Sequence, residues 1–243
     1  MAILSDPRRP LLWDLDGTIV DTSRDITTAV NAMLAERRLP TLTVASVLQK
    51  VGYGVRHLVR QVLAEALVPS PGAAAGEEAM MDEPMLDEAV ASFRRHYADH
   101  LVDTTGCYPG MDQLLRDLAT SGRRMAVVSN KPQDHTRAIL ERLGLSSCFV
   151  AALGGDSLPR RKPDPEPLWH ALMLCVSERP GEAIPSPNAV VIGDSLVDVL
   201  ASRAAGLPVA VVAWGFEAPE RLRQAEPEWC FDTPRELREA LLG

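Results

Sequence analysis

The stretch LLWDLDGTIVD, residues 11–21, decides how the rest of the chain is interpreted. Its first part, residues 11–15, is a short and largely apolar run that is typical of a buried β-strand. On an extended chain, the side chains of Asp14 and Asp16 leave the same face roughly 7 Å apart. Their negative charges should repel each other and raise the pKa of one of them. The sequence must therefore contain something that offsets this repulsion.

The composition is that of an ordinary globular protein, with 46% hydrophobic and 24% charged residues in 243, and such a chain can bury a large core. The formal net charge of −8 disfavours nucleic acid and anionic membranes as partners. We expect a cytoplasmic protein, because no signal peptide and no bilayer-spanning apolar run is evident. The four cysteines lack CxxC spacing and are expected to be reduced thiols.

Hydrophobic periodicity changes character near residue 105, and this change predicts two domains. Three amphipathic stripes within residues 21–104 predict helices, and no strand pattern interrupts them. After residue 105, helices alternate with short apolar strands, as in a parallel sheet covered by helices. We therefore predict an α/β protein whose Rossmann-like core consists of residues 1–20 and 105–243, with residues 21–104 inserted as an all-helical cap domain. The insertion point places the cap above the carboxyl ends of the strands, where open parallel sheets bind ligands.

Turn residues and periodicity also predict the individual elements. Residues 68–84, rich in Pro, Gly and Ala, are predicted to form a long loop. The predicted strands are at 11–15, 125–129, within 149–153, at 189–194, at 208–214 and near 230, and the predicted helices are at about 23–39, 55–66, 86–101, 111–118, 132–143, 165–175, 196–205 and 234–242.

Polar residues follow four of these elements at places where parallel strands end. Unpaired charge is costly to bury, so this repeated placement indicates one functional site rather than packing. The four groups are Asp14 with Asp16, Ser129 with Asn130, Lys162, and Asp194 with Asp198.

A divalent cation would resolve the repulsion among the converging carboxylates. Mg²⁺ is the predicted ion, because it is commonly held by one or two carboxylates together with water and substrate phosphate. No His or Cys arrangement suggests zinc. A calcium-binding loop beginning at Asp14 is disfavoured, because its sixth position is Ile19, where that loop requires Gly.

The motifs DLDGT, VVSNKP, RKPDPEP and GDSLVD match in type, order and spacing the four motifs of the haloacid dehalogenase superfamily of phosphohydrolases. Within that superfamily, CYPGM, SNKP and AAGLPVAVVAWGF resemble the phosphoglycolate phosphatases, and the helical insert is similar to their small helical cap. The resemblance implies a phosphatase that hydrolyses a small phosphomonoester, above all 2-phosphoglycolate, to an alcohol and phosphate. Dehalogenase relatives lack the second aspartate, so Asp16 favours phosphoryl transfer.

The resemblance also implies the roles of the carboxylates. Asp14 would be the nucleophile that forms an aspartyl-phosphate, and Asp16 would act as general acid and then as general base. Mg²⁺ would be held by Asp14, the backbone carbonyl of Asp16 and Asp194. Asp198 would contact the residues of this site rather than the ion itself. For Asp198 an alternative stays open, namely a first-turn residue favoured by the helix dipole.

The remaining site residues would bind the substrate. The resemblance implies that Ser129 and Lys162 hold the phosphoryl oxygens, helped by backbone N–H groups around Gly17 and Asn130. Arg56, in the stretch VGYGVRH, has two open interpretations: contact with a substrate carboxylate, or a surface position at a helix start.

Three alternatives remain for the function. The same mechanism could act on a sugar phosphate, a nucleotide or pyrophosphate. A hexose-phosphate mutase would transfer the phosphoryl group rather than release it. A non-catalytic phosphate-sensing protein would be expected to have lost Asp14, Asp16 or Lys162, and all three are present. The oligomeric state is left open.

Overall fold

The computed structural model describes residues 4–67, 82–177 and 189–243. The chain divides into two compact units, one made of Met1–Thr22 with Gly106–Gly243 and the other of Ser23–Thr105. Most of the predicted loop at 68–84, namely residues 68–81, lies outside the described residues.

The first unit is built on a six-stranded sheet in which every paired strand is parallel. The strands of the structure are β1 (Leu11–Trp13), β2 (Val20–Asp21), β3 (Gly106–Cys107), β4 (Met125–Val128), β5 (Ala151–Leu153), β6 (Val190–Gly193), β7 (Val209–Val212) and β8 (Trp229–Phe231). The sheet order is β5-β4-β1-β6-β7-β8, and β2 and β3 form a separate antiparallel pair. The predicted α/β fold with a parallel sheet is confirmed.

The helices of this unit accompany the strands in alternation. Among the described residues they are α5 (Met111–Thr120), α6 (Gln133–Arg142), α7 (Glu166–Ser177), α8 (Leu196–Ala205), α9 (Pro219–Gln224) and α10 (Pro234–Leu242), with a short 3₁₀ turn at Ser146–Cys148. Strands β4, β6 and β7 are buried along their whole length. Helices that cover both faces of a parallel sheet explain why these strands read as continuous apolar runs rather than as alternating ones.

The strand register brings the ends of three central strands level. Trp13, at the end of β1, pairs with Val127 of β4 and with Ile192 of β6. Parallel strands in register present their carboxyl ends along one edge, so the residues that follow β1, β4 and β6 emerge side by side. This register is what brings the first, second and fourth sequence motifs together.

The second unit, in its described residues, contains only helices. They are α1 (Ser23–Glu36), α2 (Val44–Leu48), α3 (Val55–Ala66) and α4 (Glu83–Asp99). Phe93 and Tyr97 on α4 are buried and their rings stack with centroids 5.6 Å apart. Within this unit the carboxylate of Asp25 accepts hydrogen bonds from the backbone N–H and hydroxyl groups of Thr104 and Thr105, which ties the first turn of α1 to the end of the unit.

Several short elements were missed by the sequence analysis. Helix α2 has five residues and α9 has six, too few for a helical period to show, and β2 and β3 have two residues each. The predicted first strand is too long, because the chain turns after Asp14, whose N–H donates to Ile192 O. In the part of the chain that the structure describes, no helix has the length and apolarity needed to cross a bilayer.

Candidate active site

The turn that follows β1 is closed by the backbone itself. The carbonyl oxygen of Leu15 accepts from the N–H groups of Thr18, Ile19 and Val20. Gly17 lies inside this turn with φ of +82°, a conformation that residues with a Cβ rarely adopt. A Cβ at Gly17 would also overlap the carboxylate of Asp194. Glycine is therefore required here both by the backbone conformation and by the neighbouring acid.

Three carboxylates from distant parts of the chain meet at this edge of the sheet. Asp14, Asp194 and Asp198 each offer an oxygen, and these oxygens all lie within 4.8 Å of one another. Burial raises the pKa of Asp14 to about 7, an effect that the charges of Asp198 and Asp16 strengthen and that of Lys162 opposes. Burial, together with Asp14 and Asp198, also raises the pKa of Asp194 well above its ordinary value. Burial and the neighbouring carboxylates therefore both disfavour the ionised forms of Asp14 and Asp194.

Lys162 lies between two of these acids. Its Nζ is 3.0 Å from Asp14 Oδ1 and 2.6 Å from Asp198 Oδ1, and its side chain is only 3% exposed. Burial alone would lower the pKa of Lys162, but the two carboxylates outweigh this effect and raise it. The ammonium group is therefore held in its charged form. The side chain of Asn130 donates from Nδ2 to the carbonyl oxygen of Lys162 at 2.7 Å, which fixes the lysine backbone against the end of β4.

Asp198 uses both of its carboxylate oxygens within the protein. Oδ1 accepts from Lys162 Nζ, and Oδ2 accepts from the backbone N–H and hydroxyl of Ser195 at 3.2 and 2.6 Å. Ser195 and Asp198 form a capping box at the start of α8. The two interpretations of Asp198 are thus compatible, because the same carboxylate caps a helix and contacts the lysine of the acidic cluster.

Asp194 is oriented from two sides. Thr18 donates its hydroxyl proton to Asp194 Oδ1 at 3.0 Å, and the N–H of Phe216 donates to Oδ2 at 2.7 Å. A Cβ at Gly215 would overlap the Asp194 side chain, as it would at Gly17. Asp194 therefore sits in a slot between two glycines.

Asp16 forms a separate ion pair with Lys131. Lys131 Nζ lies 2.8 Å from Oδ1 and 3.0 Å from Oδ2 of Asp16, and Thr22 donates its hydroxyl proton to Oδ1 at 2.7 Å. The ammonium group of Lys131 therefore contacts both oxygens of one carboxylate. Sequence analysis missed Lys131, Thr18 and Thr22. For Lys131 the available signal was its position directly after Ser129 and Asn130, in the same segment that follows β4.

These contacts place the sequence motifs in one region of the first unit. Residues 11–212 match the model of the haloacid dehalogenase-like hydrolase family. The chain belongs to this family. The match extends from β1 to β7 and so includes every residue of the acidic cluster.

Relatives of this hydrolase share most of its length. A phosphoglycolate phosphatase from Cupriavidus necator is 40% identical over 220 residues, which cover 90% of this chain and 87% of that protein. A phosphoglycolate phosphatase from Colwellia psychrerythraea is 33% identical over 227 residues, covering 93% and 94%. A crystal structure from Haemophilus somnus, described as a predicted phosphoglycolate phosphatase, has a TM-score of 0.79 and 27% identity and covers 93% and 94%. These likenesses identify the hydrolase as a phosphoric monoester hydrolase.

The acidic cluster of this hydrolase suits a hard divalent cation. Its donors are carboxylate oxygens, which Mg²⁺ prefers, and burial raises the pKa of both Asp14 and Asp194. A cation would offset both the burial of these charges and the repulsion between them, the two causes of the raised pKa values. Asp198 is less suited to direct coordination than Asp194, because its Oδ1 accepts from the charged ammonium group of Lys162, whereas the oxygens of Asp194 accept from the uncharged donors of Thr18 and Phe216.

The remaining residues named by the sequence analysis fall in two places. Ser129 follows β4, is buried, and its hydroxyl oxygen accepts from the N–H of Lys131 at 3.3 Å. Its hydroxyl proton can be donated to a phosphoryl oxygen. Arg56 belongs to the helical unit, where its exposed guanidinium contacts Glu83 and Asp87 of α4. Its predicted contact with a substrate stays a prediction.

Proposed function

We propose that this phosphatase hydrolyses 2-phosphoglycolate to glycolate and phosphate, depends on Mg²⁺, and carries the phosphoryl group on Asp14 between two half-reactions. The observation that carries the proposal is the position of Lys162 Nζ, 3.0 Å from Asp14 and 2.6 Å from Asp198, beside a cluster of three carboxylates. A nucleophilic carboxylate, a fixed cation and a metal-compatible acidic cluster are the groups that phosphoryl transfer requires. The substrate is supported by the names of the relatives at 33–40% identity.

In the first half-reaction a carboxylate oxygen of Asp14 attacks phosphorus. The new bond is between that oxygen and phosphorus, and the bond that breaks joins phosphorus to the alkyl oxygen of the substrate. Asp16 gives its proton to the departing alkoxide, which leaves as the alcohol. Lys162 and Ser129 stabilise the negative charge on the transferring phosphoryl oxygens, because both can donate hydrogen bonds to them.

In the second half-reaction water attacks the phosphoryl group held by Asp14. Asp16, now ionised, accepts a proton from that water, and the bond between phosphorus and the Asp14 oxygen breaks. Inorganic phosphate leaves and both aspartates return to their starting forms. The same carboxyl group thus serves as acid and then as base.

Asp14, Asp194 and the backbone carbonyl of Asp16 would hold Mg²⁺. When bound, the ion supplies positive charge that offsets the carboxylates and the phosphoryl oxygens. We assign Asp198 the task of holding Lys162 in place, because its Oδ1 accepts from Lys162 Nζ while its Oδ2 is fixed by the backbone N–H and hydroxyl of Ser195.

Specificity constants for matched phosphoesters test the substrate. With Mg²⁺ present, kcat/KM is measured for 2-phosphoglycolate and for ethyl phosphate, which has the same kind of leaving oxygen and no carboxylate, and for glucose 6-phosphate, AMP and pyrophosphate. We expect 2-phosphoglycolate to be preferred by at least about 10-fold, which corresponds to about 1.4 kcal/mol of differential transition-state binding. Equal kcat/KM values for all five compounds would contradict the assignment of 2-phosphoglycolate as the substrate, but not the proposed mechanism of phosphoryl transfer.

Product analysis tests release of the phosphoryl group. With each phosphate ester we expect one inorganic phosphate for every alcohol formed. An isomeric phosphate ester with little free phosphate would instead identify a mutase.

A further inference from the structure

We propose that Lys131 is a positioning residue for the acid–base step: its ammonium group contacts both oxygens of ionised Asp16, and when Asp16 is protonated it keeps one oxygen in place while the other carries the proton to the departing oxygen. This inference rests on the proposed role of Asp16. Its basis is the contact of one Nζ with both oxygens of that carboxylate, at 2.8 and 3.0 Å.

The contact fixes the rotation of the Asp16 carboxylate. A carboxylate held at one oxygen can still turn about its terminal bond, but one held at both oxygens by the same donor cannot turn without losing a contact. The Thr22 hydroxyl adds a third hydrogen bond at Oδ1. The side chain of Lys131 is only 4% exposed and that of Asp16 11% exposed, so water competes little for these contacts. The pair is therefore ordered rather than a transient surface ion pair.

Lys131 is itself anchored by the site. Its backbone N–H donates to Ser129 Oγ, and its carbonyl oxygen accepts from Gly155 N–H at 2.8 Å. The residue thus sits between Ser129, which faces the phosphoryl group in the proposed mechanism, and Asp16. Lys162, the other buried lysine of the cluster, contacts Asp14 and Asp198. The two lysines therefore contact different acids. Lys162 contacts Asp14, the proposed nucleophile, and Lys131 contacts Asp16, the proposed acid–base residue.

Leaving-group dependence separates a positioning role from a structural one. An alkyl phosphoester needs a proton on its departing oxygen, whereas p-nitrophenyl phosphate releases a stable anion and needs little help from Asp16. The value of kcat/KM reports only steps up to transfer of the phosphoryl group to Asp14, so the later reaction with water does not mask the difference. Replacing Lys131 should therefore lower kcat/KM far more for the alkyl ester than for the aryl ester.

The experiment compares wild type, Lys131→Met, Asp16→Asn and the double variant on 2-phosphoglycolate and p-nitrophenyl phosphate. For Lys131→Met we expect kcat/KM to fall about 100-fold with the alkyl ester and less than about 10-fold with the aryl ester, within the range of general acid catalysis. In the Asp16→Asn background, Lys131→Met should change either value by less than about 3-fold, because residues that act through one group are not additive.

Lys50→Met is the matched control. Lys50 is also a mostly buried lysine in an ion pair, with Glu65 at 2.6 Å, but it lies in the helical unit. The Lys50→Met variant should change kcat/KM by the same factor with both esters. Circular dichroism and thermal unfolding of each variant verify that the fold is kept.

Any one of four outcomes would overturn the inference. An equal fall with both esters in Lys131→Met would indicate a structural ion pair. A further rise in KM for 2-phosphoglycolate when Lys131→Met is added to Asp16→Asn would show that Lys131 binds the substrate directly. If Asp16→Asn itself shows no difference between the esters, the proposed role of Asp16 fails and the role of Lys131 fails with it. A difference in Asp16→Asn that is missing from Lys131→Met removes the role of Lys131 alone.

Discussion

Lys162 Nζ lies 2.6 Å from Asp198 Oδ1, and both side chains are almost entirely withdrawn from solvent. Removing one partner of a buried ion pair leaves an uncompensated charge, which typically costs about 3–5 kcal/mol. Lys162 retains Asp14 as a second partner. We therefore expect Asp198→Asn to lower the free energy of unfolding by about 3 kcal/mol, the lower end of that range, and to reduce kcat because Lys162 loses one of the two carboxylates that position it.

Urea unfolding and steady-state kinetics measure the two effects. Glu239→Gln serves as the control, since it removes an ion pair with Arg235 in which both side chains are largely exposed. Its effect on stability should stay within about 0.5 kcal/mol. An Asp198→Asn variant as stable and as active as the wild type would contradict the importance of the pair.

Replacing Asp14 by Asn should abolish turnover while the fold is retained. The change removes the attacking charge at nearly constant volume, so we expect kcat to fall by at least about 10³-fold, as is common when a covalent nucleophile is lost. Initial rates measure the loss, and calorimetric titration with inorganic phosphate measures whether the anion still binds. Activity above a few per cent of wild type would contradict a nucleophilic Asp14.

Glycine at position 17 should be irreplaceable, because its φ is +82° and a Cβ would overlap Asp194. We expect Gly17→Ala to destabilise the protein by more than about 1 kcal/mol and to reduce activity by displacing the Asp194 carboxylate. Gly106→Ala is the control, since Gly106 has no positive φ and a Cβ there would meet nothing within 4 Å. Thermal unfolding of both variants tests this, and equal shifts would contradict it.

Stability should fall in acid partly through Asp25. Burial would raise the pKa of this carboxyl group, but hydrogen bonds from Thr104 and Thr105 outweigh burial and lower it below the ordinary value of 3.8. A lowered pKa means that the unfolded chain binds the proton more readily, so the contribution is present above pH 3.8 and is lost as the pH falls through the pKa of the folded state.

The variant Asp25→Asn isolates this effect. We expect it to be about 1–3 kcal/mol less stable than wild type at pH 7, the range for lost charge-assisted hydrogen bonds. The difference should shrink as the pH is lowered below the ordinary pKa of the group. Denaturant unfolding between pH 7 and about pH 2 provides the measurement, and a difference that stays constant below pH 3.8 would exclude a contribution from ionised Asp25.

Removal of divalent ions should stop turnover, and Mg²⁺ should restore it. A readout that does not depend on activity is thermal stability, because an ion that binds only the folded state stabilises it by about 2.7 kcal/mol when its concentration is about 100 times Kd. We expect Mg²⁺ to raise the unfolding temperature of the wild type but not of Asp194→Asn. Full activity after treatment with a chelator would contradict the metal requirement.

The sheet was predictable because its strands are buried on both faces and end in polar residues. Apolar runs such as the one from Val190 to Gly193 need no knowledge of their neighbours to be recognised. Contacts between distant residues were not predictable in the same way. Nothing in the sequence around Asn130 indicates that its amide binds the Lys162 carbonyl 32 residues later, because that contact depends on how two loops pack.

The ion pair of Lys131 with Asp16 illustrates the same limit. Lysine is usually exposed, so the position of Lys131 directly after Ser129 and Asn130 places it near the site but does not by itself predict a buried ion pair. Only the register of β1 against β4 places it next to Asp16. Short elements such as α2 were missed for another reason, since five residues cannot display a helical period.

The slot between Gly17 and Gly215 defines the dimensions of the acidic centre. The backbones on either side approach the Asp194 side chain so closely that no methyl group fits on either flank. A glutamate at position 194 would have to place an additional methylene group between the same two glycines. The backbone at these two glycines thus fixes where the Asp194 carboxylate lies relative to the end of β6. A cation bound by this carboxylate would therefore have its distance from β6 fixed as well.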